Sequence, residues 1–126
     1  MVFLAQDKKK LPITQEELLR LLKNNKIKFD YYAHKPLFSV KESKLLQEVI
    51  FPNDIDSIHI KNLYLRDKNK NNFLITCEQD KNIDLKKLQK QVMSSRLSFG
   101  SSERLFEFLG VYPGSVSPFC MINGIK

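Results

Sequence analysis

Two stretches of this 126-residue chain hold side chains able to do chemistry. One is Lys61-Asn62, inside Ser57 to Arg66 (Ser-Ile-His-Ile-Lys-Asn-Leu-Tyr-Leu-Arg). The other is Gly114-Ser115-Val116-Ser117-Pro118. Ser57–Arg66 is β-branched and aromatic without Gly or Pro, so it reads as a strand. Alternation puts His59, Lys61, Leu63 and Leu65 on one face and Ile58, Ile60, Asn62 and Tyr64 on the other. Both faces are largely apolar, so the strand is expected to be covered on both sides. Lys61 is then a cation among buried neighbours, which costs several kcal/mol unless an anionic or polar group meets it. Either the side chain snorkels to the surface or pairs with a carboxylate, or it is held in a pocket for an anionic or carbonyl-bearing ligand. In the second stretch Gly114 permits a close backbone approach and Pro118 fixes the exit. It can be a plain β-turn or a loop presenting backbone amides to a small polar ligand.

Other chemistries are not supported. The chain has no GxGxxG, P-loop, HExxH or Gly-x-Ser-x-Gly motif, and no Cys–His or Ser–His–Asp set. Its two histidines, His34 and His59, stand apart without ligand spacing, so neither a metal nor a cofactor is expected. Cys77 and Cys120 are isolated in apolar runs, which fits a reducing compartment. The first residues, Met-Val-Phe-Leu-Ala-Gln-Asp, are too short and wrongly ordered for a signal peptide, and no apolar run has the length of a membrane span. The expected location is cytoplasmic. A net charge of +7, from 21 basic and 14 acidic residues, favours polyanionic partners such as nucleic acid.

The elements that must position these residues follow from local signals. Thr14-Gln15-Glu16-Glu17 is a capping box with Ile13 and Leu18 as a staple, and Leu18, Leu21 and Leu22 continue one helical face until Asn24-Asn25 ends it in a left-handed residue. Ile27, Phe29, Tyr31 and Ala33 alternate with polar or exposed-type residues as in a half-buried strand, closed by Pro36. Ser39-Val40-Lys41-Glu42 starts a second helix reaching Ile50, with Leu46, Val49 and Ile50 as its stripe. After the Lys61 strand come a polar turn at Asp67–Asn72 and an antiparallel return at Phe73–Cys77. Asp84 caps a third helix to about Val92, with Ile83 and Leu88 as staple and with Lys86, Lys87 and Lys90 as a solvated basic face. Arg96–Phe99 is a short strand, Ser101 or Ser102 caps a helix ending at Gly110, and Tyr112-Pro113-Gly114 is a tight turn. Phe119–Ile122 reads as a strand running into an Asn123-Gly124 hairpin turn.

The segments Lys61-Asn-Leu-Tyr-Leu-Arg-Asp, Phe73-Leu-Ile-Thr, Asp84-Leu-Lys-Lys-Leu, Arg96-Leu-Ser-Phe, Arg104-Leu-x-x-x-Leu-Gly-Val and Pro113-Gly-Ser-Val-Ser-Pro-Phe, in this order, resemble the YbaK/prolyl-tRNA synthetase-associated domain family. The nearest branch is the free-standing prolyl-tRNA editing (ProX or PrdX) type, and the likeness runs from about Ile13 to Asn123. It implies an α+β fold, a mixed but mainly antiparallel barrel-like sheet surrounded by helices, with residues 1–126 as one domain. It also implies a metal-free deacylase acting in trans on mischarged tRNA-Pro, most of all Ala-tRNA-Pro, through the tRNA acceptor end. Prolyl-tRNA synthetase is a candidate protein partner. The family's functional lysine falls on Lys61, and its Gly-x-x-x-Pro loop on Gly114 and Pro118, with Ser115, Val116 and Ser117 between. Asn62 matches the alanine-editing branch, and Ser98 and Phe99 match a segment expected to wall the pocket. Family members continue past the Asn123-Gly124 turn, so the domain is expected to be C-terminally truncated. A tRNA- or synthetase-binding module without turnover, or an inactive gene product, are the alternatives.

Overall fold

The structure, a computed structural model, describes residues 2–5 and 14–123, by backbone alone at 2–5 and 122–123. Its elements are β1 (Val2–Ala5), α1 (Gln15–Asn24), α2 (Val40–Ile50), β2 (Ile60–Arg66), β3 (Asn72–Glu78), α3 (Leu85–Gln91), β4 (Ser98–Phe99), α4 (Ser102–Leu109) and a closing 3₁₀ helix (Pro118–Asn123). This is the α+β mixture expected. The four strands form one sheet in the order β1-β3-β2-β4, antiparallel at each pairing. The β2–β3 hairpin turns at Asp67, whose buried carboxylate accepts from the Asn71 backbone and side chain at 2.8 and 3.0 Å.

Strand alternation explains how the sheet is covered. Tyr64 and its cross-strand partner Leu74 pack on one face with Leu105 and Leu109 of α4 and Cys120 of the 3₁₀ helix. Leu65, Phe73 and Ile75 pack on the other with Leu88 of α3 and Leu97. Both faces of β2 are covered at Tyr64 and Leu65, whereas the Lys61 end is more open than its apolar residues predict: Ile60 is 49% exposed, and Ile58, before the strand begins, is 78% exposed. Gly100 matters here: a Cβ at that position would fall 2.2 Å from the Tyr64 ring, so only glycine lets the chain pass.

The helix ends follow their capping signals. Thr14 and Ser39 each accept from the backbone of the glutamate three residues on, and each glutamate returns the bond. Asp84 and Ser101 cap α3 and α4, and Gly110 ends α4 in the left-handed region. The Ile13 staple lies outside the described residues. After α1 the left-handed residue is Lys26 (φ 56°), not Asn24 or Asn25; Asn25 has φ −89° and donates its side-chain amide to the Leu21 carbonyl.

Three expectations are corrected. Residues 27–34 are not a strand: Ile27 and Tyr31 are 52% and 54% exposed and only Phe29 of the alternating set is half-buried. Alternation reports a segment with two unlike sides, and a strand also needs a ladder partner, which this one lacks among the described strands. Val49 leaves the apolar stripe of α2 for solvent, whereas Leu46 and Ile50 are half-buried. Phe119–Ile122 is 3₁₀ helix rather than strand. Pro118 sets the first helical φ, and Ser117 starts the turn by accepting from Phe119 N at its hydroxyl and from Cys120 N at its carbonyl. Gly124 of the expected hairpin lies outside the described residues. A short strand that local reading misses, β1, pairs with β3 from Val2 opposite Ile75 to Ala5 opposite Asn72.

Candidate active site

A cavity of about 300 Å³ opens at the N-terminal end of β2. Its floor is Ile60–Leu63, one wall is the start of α2 with the preceding Leu37-Phe38, and the second wall, which abuts Leu37-Phe38, is Gly114 and Val116. The two stretches of chemical interest, 53 residues apart from Lys61 to Gly114 by numbering, thus meet here.

The wall closes because residue 114 is glycine. Its φ is +90°, and a Cβ there would stand 2.7 Å from the Leu37 carbonyl oxygen and 3.3 Å from the Phe38 ring. The turn that carries it is held by Ser115 N donating to the Tyr112 carbonyl at 3.0 Å. Facing it, the start of α2 is fixed by Glu42, whose carboxylate accepts from Phe38 N at 2.8 Å and Ser39 N at 3.1 Å. The Phe38 amide, with help from Ser39, holds the Glu42 carboxyl below its ordinary value. A group lowered on folding stabilises above its unfolded value, about 4.3 for Glu, and that contribution goes as pH falls through the lower folded value. Exchange of the Phe38 and Ser39 amides is therefore expected to accelerate as pH drops below that value, beyond the intrinsic trend. Glu42→Gln should remove this pH-dependent step. An unchanged profile in that variant would show that Glu42 does not secure the wall.

The polar groups of the cavity come from several elements. Lys61 Nζ donates to the Lys81 carbonyl at 2.6 Å, a backbone partner instead of the carboxylate or the bare surface considered from sequence. One of its three donors is spent there and two remain for a ligand. Asn62 accepts at Oδ1 from Thr76 Oγ1 at 2.7 Å, which leaves Nδ2 as the donating end of the amide. Gln47 of α2 and the buried Gln79 after β3 bond reciprocally through their amides at 3.1 and 3.2 Å. Nearby, Lys44 meets Asp80 at 2.5 Å, and that hydrogen bond raises the Lys44 ammonium. These two links tie α2, which has no buried residue of its own, to the sheet.

Not every expected site residue reaches this cavity. Lys61, Asn62, Gly114 and Val116 line it. Ser115 lines a neighbouring hollow with Tyr31 and Pro113. Ser117 and Pro118 sit at the start of the 3₁₀ helix, outside the lining. Ser98 and Phe99 form β4 opposite Arg66 and Leu65, at the far end of β2 from Lys61. Local reading misses Phe38, Ser43, Gln47 and Gln79, since only the Ser39–Glu42 capping box hints that a helix starts nearby.

Among the described residues, the lining has no histidine or cysteine. Ser39 Oγ donates to Glu42 Oε2 and Ser43 Oγ to the Ser39 carbonyl, so both hydroxyl protons serve the helix start. Such a site suits binding and electrostatic stabilisation of a small acyl group more than covalent attack by a side chain.

A model of the aminoacyl-tRNA editing domain matches residues 40–126, which include the whole floor and both walls except Leu37, Phe38 and Ser39. The chain belongs to the aminoacyl-tRNA editing domain family. Among relatives of this editing domain, the prolyl-tRNA editing protein ProX of Acetoanaerobium sticklandii is 36% identical over 110 residues, covering 86% of this chain and 64% of that protein. Prolyl-tRNA synthetase associated domain-containing protein 1 of Mus musculus is 31% identical over 106 residues, covering 79% and 60%. Its Danio rerio counterpart is 27% identical over 107 residues, covering 85% and 55%. The chain thus spans rather less than two thirds of the length of these curated relatives. Among the described residues, no helix is long and apolar enough to cross a membrane.

Proposed function

We propose that this chain is a single editing domain that hydrolyses the ester of mischarged tRNA-Pro in trans, with Ala-tRNA-Pro as its preferred substrate, and that it works in the cytoplasm, with prolyl-tRNA synthetase as a candidate partner. The observation carrying this reading is the convergence of Lys61 and Asn62 with the Gly114 turn on one cavity. Ester hydrolysis at a tRNA 3′ end develops negative charge on the carbonyl oxygen and needs an oriented water. An ammonium with donors to spare stabilises that charge, and the Asn62 amide can hold the aminoacyl group. Discrimination between alanine and proline by size would be worth about 1–3 kcal/mol per methylene. The excess of basic residues would hold the acceptor stem through its phosphates, with salt-sensitive affinity.

The test is a deacylation panel of tRNA-Pro charged with alanine, cysteine or serine. Fastest release of alanine is expected, and no release from any of the three would overturn the reading. One observation favours a second reading, a tRNA-binding module without turnover: Lys61 already donates to Lys81. Tight binding of tRNA-Pro without hydrolysis would select it.

A further inference from the structure

Asn62 lines the cavity with Lys61 but is oriented by a residue outside that lining. Asn62 and Thr76 stand directly opposite each other across the β2–β3 pair, two positions along from Tyr64 and Leu74. Strand alternation puts these four side chains on one side of the sheet. Tyr64 and Leu74 are buried with Leu105 and Leu109 of α4, and β1 pairs with the other edge of β3 as far as Ile75. Thr76 therefore follows directly on a buried stretch of strand that is paired at both edges.

A fixed backbone does not by itself orient a carboxamide. The last torsion of asparagine has a broad, roughly two-fold profile, and its oxygen and nitrogen ends are nearly the same shape. A hydrogen bond has to choose between them. Thr76 Oγ1 donates to Asn62 Oδ1 at 2.7 Å, an ordinary length for a hydroxyl donor. Threonine is β-branched and stiff about its first torsion, so this hydroxyl changes place little. With Oδ1 tied back to β3, the end of Asn62 left for a ligand is Nδ2, which only donates. Gln47 and Gln79, also in the lining, bond each other through both ends.

We propose that Thr76 is a positioning residue, which turns the Asn62 carboxamide so that Nδ2 donates to the carbonyl oxygen of the aminoacyl ester. The inference rests on the proposed deacylation and deepens it by naming the substrate atom that Asn62 meets and the residue that aims it. An ester carbonyl oxygen accepts and cannot donate, so a flipped carboxamide would bring its own lone pairs against it. A donor aimed in advance needs no reorganisation when charge grows on that oxygen, so its effect falls on kcat.

The test joins deacylation kinetics on Ala-tRNA-Pro with NMR of the Asn62 side-chain amide, whose signal is identified by its loss in Asn62→Ala. Thr76→Val keeps the shape of the side chain without the hydroxyl and suits a strand. It is expected to lower kcat about two- to tenfold, the loss of one neutral hydrogen bond, with KM little changed. Thr76→Ala lacks the same hydroxyl and should behave alike, and Thr76→Ser should recover most of the rate. Asn62→Ala should cost more, and adding Thr76→Val to it should cost nothing further. Nitrogen-15 relaxation should find the Asn62 amide ordered in the wild type and in Thr76→Ser, and mobile in Thr76→Val. Full kcat in Thr76→Val, a loss confined to KM, or the same loss in the Asn62→Ala background would overturn the inference. The last of these is what a purely structural threonine would give. An Asn62 amide equally ordered with and without the hydroxyl would also overturn it. Deacylation that ignores Thr76 would sink the inference and leave the deacylase reading standing. A Thr76-ordered Asn62 with no deacylation of any charged tRNA would refute that reading and the carbonyl contact with it, leaving Thr76 as the residue that orients Asn62.

Discussion

Replacing Lys61 with Ala is expected to lower deacylation of Ala-tRNA-Pro by about 10²–10³-fold, the cost of removing one preorganised donor to a developing oxyanion. The protein itself should stay folded. Lys61 is half-buried at the end of the sheet, and its bond to the Lys81 carbonyl contributes about 0.5–1.5 kcal/mol. The same bond gives the side chain its catalytic value in the proposed mechanism. A free lysine stem samples many rotamers, and anchoring one N–H on a backbone carbonyl leaves the other two in a smaller set of directions. Lys61→Arg keeps the charge but replaces a compact ammonium with a planar fork, so it should recover little of the rate. Deacylation and denaturant unfolding of Lys61→Ala, measured together, check this. A fully active variant would remove Lys61 from the mechanism, and an unfolded one would show that its role is structural.

What was legible in the sequence was what is local. The capping boxes at Thr14 and Ser39, the Asp84 cap and the Gly110 end are written in four or five adjacent residues, and each forms as written. The β2–β3 hairpin was legible too, because its polar turn and two apolar runs are consecutive. Misreadings arose where a local pattern has two physical causes. The alternation at Ile27–Ala33 falls in a loop in which every residue but Phe29 is exposed, and the apolar run at Phe119–Ile122 coils into a 3₁₀ turn started by Ser117 and Pro118.

The site was half legible for a related reason. A lysine inside an apolar strand is conspicuous by type, so Lys61 stood out, yet its partner is a main-chain carbonyl, which no residue type announces. Gln79 and Gln47 are unremarkable in sequence and gain meaning only when 32 positions of chain bring their amides together. Ser98 and Phe99 show the converse. Their strand pairs with β2, but at its other end, opposite Leu65 and Arg66 and four to five residues of strand from Lys61.

Gly114 concentrates these dependences in one atom, and Gly114→Ala is expected to damage both stability and activity. A left-handed φ of +90° costs a non-glycine residue about 1–2 kcal/mol. The new methyl would also sit 2.7 Å from the Leu37 carbonyl oxygen, a backbone atom that cannot rotate away. Overpacking of this kind costs about 1–3 kcal/mol, so the turn should move instead, retreating from Leu37-Phe38 and widening the cavity. A displacement of about 1 Å in a positioning wall can reduce a rate about 10²-fold, so the loss in kcat/KM should exceed what the lower stability explains. Ser115→Ala is the matching control, since Ser115 faces the neighbouring hollow and its N–H bond to Tyr112 survives the change. Denaturant midpoints and deacylation rates of both variants decide the matter. If Gly114→Ala matched the wild type in both, the close approach to Leu37 would have no part in shaping the cavity.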